Sequence, residues 1–424
     1  MIGLLFKGAT INLRYFKMKK AIVLGGTHDH IRLIEILKGK GYFTYLIDYL
    51  ENPPARNHAD EYVRESILDM EAVSSLSNKI KPNIVMAACI DQALLTTAQL
   101  CEKLKLPCHI SYQTAIELTN KALMKNKFAA HQIPTTPFIV QRVLQPESVA
   151  RLKFPLVVKP VDSNSSKGIS KIITQKELES AAITALAHSR SKHIIMEEYM
   201  EGEEFSVDVA VKNGVPTVLL VTKNIKMPQS EKTFTIVQSY FPATTDTTLL
   251  SKINDIVKQI VVAYNIRNSP LLVQLIHNNG ELYVIEFSAR LGGGSKHHLI
   301  KKITGFDVLE WFVDVIHSQS KEISIRQNYN YACINYLYAR KGKIASFEGF
   351  EESAAEGIID EYYYYKTPGM QITNHIASSD RPAGYLITDQ KYDSFLKKLT
   401  LANEKIAVLD EHGSSLTINN QVVS

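Results

Sequence analysis

From Lys20 onward, apolar runs of strand length alternate with apolar residues at helical spacing. AIVLGG (21–26) reads as a buried strand that runs into a Gly-Gly turn. HIRLIEILKGKGY (30–42) carries its apolar residues on one helical face and stops at glycine, which predicts a helix. YFTYLID (42–48) and IKPNIVMAAC (80–89) are further strands, and QALLTTAQLCEKL (92–104) a further helix. This alternation predicts an α/β domain built on a doubly wound parallel sheet.

Farther along, the period shortens towards two. The stretch LLVQLIHNNGELYVIEFSARLGGGS (271–295) reads as a β-hairpin turning at Asn278-Asn279-Gly280. With a three-residue loop, Gln274 and Glu286 lie diagonally across one face. Ser288 and Arg290 follow on that face if the chain stays extended, and Ile285 and Phe287 point the other way. Burying such a polar row is costly unless a charged group meets it. Oxygen-bearing side chains suit Mg²⁺, and an adjacent Arg suits phosphate. An exposed face with a Glu–Arg pair is the competing reading of the same pattern.

KFPLVVKPVDSNSSKGISKI (153–172) has an apolar strand ending in Lys159-Pro160, then a small-residue loop at 162–168. A strand-end Lys reaches phosphate as a point charge, and such a loop offers backbone N–H groups to a polyphosphate. It is not a Walker loop, because G-x-x-x-x-G-K-[ST] is absent. HIIMEEYMEGEEFSVDVAV (193–211) is a strand, a short acidic hinge and another strand. Gly292-Gly293-Gly294 lets backbone approach a ligand, and the helix that follows presents N–H groups to anions. Gly25-Gly26-Thr27 ends the first strand without a G-x-G-x-x-G fingerprint, and such strand ends contact ligands in open α/β folds. Asp29, between His28 and His30, is expected to cap the helix it begins, with a substrate contact by these three residues as the alternative. His297 and His298 offer substrate contacts or a surface helix face. The tyrosine run 362–365 is expected to be a strand with two wet and two packed rings.

Taken in order, these pieces resemble the ATP-grasp superfamily. The matching parts are TNKALMKNKF (119–128), FPLVVKP (154–160), the Ser-rich loop, MEEYMEGEEFSVD (196–208), VQLIHNNGELYVIEFSAR (273–290) and GGG (292–294). Order and spacing agree over roughly residues 20–315. ARLGGG looks most like the carboxylate–amine ligases that join amino acids, and the plan also resembles biotin carboxylase and the large subunit of carbamoyl-phosphate synthetase.

The resemblance implies ATP and Mg²⁺ as cofactors, with Mn²⁺ as an alternative ion. It places Lys121, Lys159, Ser165, Ser166 and Gly168 at the phosphates. Glu198, Tyr199 and Met200 fall at the adenine hinge, and Glu204 at the ribose. Gln274, Glu286 and Ser288 are the metal positions, and Arg290 with Lys159 the catalytic ones. Gly25, Gly26, Thr27, Arg290, Gly293 and Gly294 would face the substrate. One departure is that Ser288 stands where many members carry Asn; a hydroxyl is the weaker metal ligand. Gln274 is likewise neutral where many members have Glu, so Mg²⁺ is expected to arrive on ATP.

The implied division is an arm at 1–17, an N-terminal α/β domain at 18–118, an ATP-grasp domain at 119–316 with its lid at about 153–200, and a small α+β lobe at 317–424. The arm lacks the features of a signal peptide and is expected to have no catalytic part. The 424 residues suit two to four domains. A net charge of +5 hardly argues for nucleic acid, and no apolar run reaches membrane-spanning length. Cys89, Cys101, Cys108 and Cys333 show no metal spacing, which fits reduced thiols in the cytoplasm. The expected partners are a small-molecule carboxylate and an amine, with neither nucleic acid nor membrane, and a homodimer is compatible with the sequence. The expected activity is ATP-dependent joining of the two through an acyl phosphate. Two alternatives stay open: a bicarbonate-activating enzyme, and a catalytically weak ATP-binding regulatory protein.

Overall fold

The computed structural model describes residues 18–163, 168–227, 235–319, 321–373 and 377–418. Residues 1–17, together with Ser165 and Ser166 of the candidate phosphate loop, therefore lie outside the described residues.

Strands Lys19–Leu24, Tyr42–Asp48, Glu61–Arg64 and Ile84–Met86 pair in parallel, in the spatial order third, second, first, fourth. Helices cover both faces, so the first strand is apolar on both. Ala21 and Val23 enter one core, and Ile22 and Leu24 another. The winding reverses between the first and fourth strands, and a crevice is expected at their carboxyl ends. Gly25-Gly26-Thr27 and Ala88-Cys89 stand there, and Thr27 Oγ1 lies 3.8 Å from Cys89 Sγ.

A second sheet carries the lid. Its antiparallel strands run in the order Phe138–Gln141, Ile194–Glu198, Leu156–Pro160, Ser170–Ile172. Helix Leu178–His188 buries Leu178, Ala181, Ala182 and Ala185 against it.

The largest sheet has eight strands: Glu281–Ser288, Ser269–Asn278, Glu203–Lys212, Val215–Lys226, Ile236–Phe241, Tyr331–Tyr336, Ala383–Asp389 and Glu361–Tyr364, in that spatial order. It runs across residue 317 without a break, so the carboxy-terminal segment extends the same sheet. Among the described residues no helix is long and apolar enough to cross a membrane.

The hairpin differs from the expected one in two respects. Its loop is the two-residue Asn279-Gly280, both at positive φ (47° and 83°), as a tight primed turn requires. The register then shifts between Gln274 and Leu275, leaving Ile285 as an extra residue. That bulge resets the side-chain phase. Val284 and Phe287 both reach the core, while Glu286 comes directly opposite Gln274 instead of diagonal to it. The bulged segment is held from outside: Val284 N–H donates to Pro134 O at 2.8 Å, and Thr135 Oγ1 donates to Val284 O at 2.8 Å.

The tyrosine run is also corrected. Tyr363 and Tyr365 pack on the side of His28, and Tyr362 and Tyr364 on Phe350. Tyr363 is buried and the other three are half-buried, because both faces of this strand pack against cores.

Candidate active site

Glu204, Ser206 and Asp208 alternate along one strand and share its inner face. Register places Ser206 beside Gln274 and Asp208 beside Leu272, and across the hairpin sets Gln274 against Glu286 and Leu272 against Ser288. Gln274, Glu286, Ser288 and Arg290 thus line one cleft together with Lys121 and Asp91. Gln274 Nε2 donates to Glu204 Oε1 at 3.4 Å, which leaves the amide oxygen free of that contact. Ser288 Oγ and Asp208 Oδ2 are buried without a well-formed hydrogen bond. Unmet polar atoms of this kind are rare in folded proteins and mark ligand positions when they face a cleft.

Arg290 is clamped. Its Nε and one terminal nitrogen donate to the two carboxylate oxygens of Asp91 at 2.7 Å each, and the other donates to Leu291 O at 2.7 Å. Burial pushes the Asp91 carboxyl up, but the guanidinium outweighs it and holds the group below the usual range. Sequence reading missed Asp91, since nothing in DQALL marks a first-turn acid as the partner of an Arg 199 positions away.

Lys121 opens helix Lys121–Ala130, whose amino end Asn120 caps through Ala122 and Leu123 N–H. Its ammonium donates to Ser163 O at 2.8 Å and lies 3.8 Å from Glu286 Oε2. Lys121 therefore ties the start of the lid loop to the acid on the hairpin.

Lys159 is not the free point charge the sequence suggested. It sits 2.7 Å from Glu197, which also holds Lys125 at 2.9 Å, and all three are buried. Thr136 accepts from Lys125 and donates to Glu197. Burial raises the Glu197 carboxyl, yet the two ammonium groups bring it down to about 2. Burial pushes Lys125 down. Two cations on one anion leave a net positive charge under the lid. Lys125 and Glu197 were missed because each reads alone as an ordinary helix or strand residue.

At the hinge, Glu198 N–H is bonded to Pro137 O (3.0 Å) and Tyr199 N–H to Pro155 O (2.9 Å). Those two donors are spent on the lid, so hinge recognition of a base would fall to Met200 and the carbonyls. Lys171 Nζ lies 3.9 Å over the Tyr199 ring. Gly202 is required by close approach: a Cβ there would lie 2.1 Å from the His277 carbonyl oxygen. Glu204 is engaged by Lys226 at 2.9 Å and by Asn224 at 3.0 Å. Gly168 packs against His188, where a Cβ would come within 2.9 Å.

The crevice side brings together residues the sequence left apart. Asp29 does not cap its own helix, which starts without a side-chain cap. Its carboxylate accepts from Ser295 N–H at 2.8 Å and from the Cys89 thiol at 3.2 Å, with His297 at 3.5 Å. It thereby satisfies the amino end of helix Lys296–Thr304. Both histidines are engaged: His297 is buried on Asp29, and His298 lies 2.8 Å from Glu361. Burial pushes the His297 ring down to about 3. Gly26 N–H donates to Asp48 at 2.7 Å, and Gly293 backs onto Cys89. Asp208 is raised by burial, and the buried Lys296, 4.0 Å away, is lowered to about 8.

A lid sheet and a larger sheet close on one charged cleft, an arrangement similar to that of ATP-grasp ligases. Residues 152–298 match the family model described as an ATP-grasp domain. The chain is 23% identical over 318 residues to an L-arginine-specific L-amino acid ligase of Bacillus subtilis, covering 72% of this chain and 76% of that protein. It is 36% identical over 106 residues to a D-alanine–D-alanine ligase of a Synechococcus species, covering 24% and 32% respectively. Among solved structures, an L-amino acid ligase from Bacillus licheniformis superposes with a TM-score of 0.76 at 21% identity, covering 93% and 99% of the two chains. The biotin carboxylase domain of Hydrogenobacter thermophilus 2-oxoglutarate carboxylase, solved with MgADP, ADP and bicarbonate, gives 0.76 at 18% identity, covering 92% and 90%.

Proposed function

We propose that this chain is an ATP-dependent carboxylate–amine ligase that works through an acyl phosphate. The observation that carries the reading is the cleft itself: Glu286, Gln274 and the Ser288 hydroxyl, which has no well-formed hydrogen bond, on one face, with Lys121 and Arg290 converging on it.

The donor set is hard oxygen with one carboxylate, and among the described residues no group of three or more His, Cys, Asp or Glu side chains could hold a metal alone. Such a set suits Mg²⁺ that comes with nucleotide phosphates, held by Glu286, the Gln274 amide oxygen and Ser288. Bound there, the ion would neutralise phosphate oxygens. Lys121 would exchange Glu286 for a phosphate contact. Lys159 and Lys125, in excess over Glu197, would offer the remaining positive charge beneath the lid. Arg290, held rigid by Asp91, would stabilise charge on the transferred group without reorganising. The substrate carboxylate attacks the γ-phosphorus as the bond to ADP breaks; the amine then attacks the acyl carbon and phosphate leaves. Catalysis is positioning and charge neutralisation, and no side chain is covalently modified.

The test is ADP release measured across a panel of amino acids, with and without bicarbonate. Amino-acid-dependent release is expected. Release dependent on bicarbonate alone would replace this reading with a bicarbonate-activating one, and nucleotide binding without turnover would replace it with a regulatory one.

A further inference from the structure

Two of the cysteines meet outside the cleft. Cys101 lies in the last turn of helix Asp91–Leu104, which ends at Lys105 with φ 54°. Leu106 N–H donates back to Cys101 O at 2.8 Å, and the chain returns across Pro107, so that Cys108 packs on the apolar cluster that holds Cys101. The Cys101 thiol donates to the Cys108 sulfur. On its other side, Cys108 Sγ is 3.9 Å from His109 Nδ1, and His109 Nε2 is 2.9 Å from Ala289 O. A carbonyl oxygen only accepts, so Nε2 carries the hydrogen and Nδ1 presents its lone pair to Cys108. Cys108 thus has a base on one side and a second thiol on the other.

The remaining cysteines are set up differently. Cys89 donates to the Asp29 carboxylate at 3.2 Å, and burial together with that anion pushes its thiol up. Cys333 is buried and pushed up by burial. Cys108 moves the other way: the hydrogen bond from Cys101 lowers it, and His109 lowers it further against the opposing effect of burial. Cys101 is buried while Cys108 is half-buried, so a small oxidant reaches Cys108 first. Thiolate character and access decide which cysteine is oxidised.

We propose that Cys101 and Cys108 are a peroxide-oxidised thiol pair, in which Cys108 is attacked first, His109 takes its proton and Cys101 closes the disulfide. The Cys108 thiolate attacks one oxygen of hydrogen peroxide and the O–O bond breaks. Hydroxide leaves, takes the proton from His109 and becomes water, and Cys108 is left as a sulfenic acid. The Cys101 sulfur then attacks the Cys108 sulfur; the S–O bond breaks and the hydroxyl leaves with the Cys101 proton as a second water. Two thiols are oxidised and one peroxide is reduced. The pair lies between two holds on Arg290. The helix that carries Cys101 begins at Asp91, the Arg290 clamp, and His109 holds the carbonyl of Ala289, the residue before Arg290. A disulfide draws the Cys108 sulfur onto Cys101 and away from His109, which releases the ring that holds Ala289 and slows turnover. The oxidation stands apart from the ligase reading, and only its effect on turnover rests on that reading.

The experiment treats the folded protein with a slight excess of hydrogen peroxide, then blocks free thiols and digests without reductant for mass spectrometry. Trypsin cuts after Lys103 and Lys105, so the reduced protein yields the two cysteines on separate peptides and the disulfide joins them. Wild type should give the joined peptides, with Cys89 and Cys333 blocked as free thiols, and ADP release should fall and return with dithiothreitol. Cys101→Ser should stop at a Cys108 sulfenic acid that dimedone traps. Cys108→Ser should leave Cys101 reduced, and His109→Gln should slow the oxidation roughly tenfold or more. ADP release by both serine variants should withstand peroxide. A disulfide that forms in a protein releasing no ADP in either state would keep the thiol pair and remove the ligase reading. Wild type without the Cys101–Cys108 disulfide, or Cys101 oxidised at the wild-type rate in Cys108→Ser, would overturn the proposal. Unchanged ADP release from the disulfide form of an active protein would overturn the link to Arg290.

Discussion

Replacing Glu197 by Gln keeps the shape of the side chain and removes the one anion between two buried ammonium groups. Lys125 is 2.9 Å and Lys159 2.7 Å from its carboxylate. Burial alone would raise the carboxyl, but the two lysines hold it near 2 against an ordinary 4.5. That depression corresponds to about 3 kcal/mol of native stability, in line with the cost of removing one partner from a buried ion pair. Because the folded-state value is the lower one, the contribution is complete above pH 4.5 and is lost as pH falls from there towards 2. Urea unfolding at neutral pH should therefore show Glu197→Gln destabilised by about 3 kcal/mol, with the difference from wild type shrinking in acid. Adding Lys125→Met should recover much of the loss, since it removes the second buried cation. ATP should stabilise the Glu197→Gln variant more than wild type, because phosphate then supplies the missing negative charge. An unfolding free energy for Glu197→Gln equal to wild type at neutral pH would refute the charge balance argued here.

Other outcomes follow from the cleft. Glu286→Gln should nearly abolish ADP formation while leaving the unfolding curve in place, because Glu286 is the acid among the proposed metal positions; turnover at the wild-type rate would remove it from the site. Ser288→Asn should keep or tighten Mg²⁺ dependence, and an unchanged titration would show that the hydroxyl does not face the ion. Lys159→Met should weaken ATP binding by about one to two decades by calorimetry, the loss of one charge-assisted contact; an unchanged dissociation constant would exclude that contact. Gly202→Ala should destabilise the protein by roughly 1–3 kcal/mol, since the new Cβ meets the His277 carbonyl oxygen at 2.1 Å; a wild-type melting curve would show that the hinge can shift.

Much of the candidate site is legible in the sequence because each part carries a local signature. The Asn-Gly turn, the Lys-Pro strand end, the G-x-E hinge and the tri-glycine all depend on neighbours in sequence, and local patterns record local constraints. The bulge at Ile285 was not legible. A two-residue period extrapolated from Val284 puts Glu286 on the core face. Only the outside contacts from Pro134 and Thr135 show where the phase is reset. Asp29 was misread for a related reason: its own helix offers it a cap position, but the better partner, Ser295 N–H, is 266 residues away.

The sequence by itself determined the alternation of elements, the parallel character of the first sheet and the residue types at the cleft, because periodicity and turn chemistry are set by a few adjacent residues. The tertiary structure alone decided which charges are paired. Asp91 on Arg290 and Glu197 between Lys125 and Lys159 both join segments far apart in the chain. Coulomb energy depends on separation and burial rather than on order along the chain, so the electrostatics of the site come into being only when the sheets close.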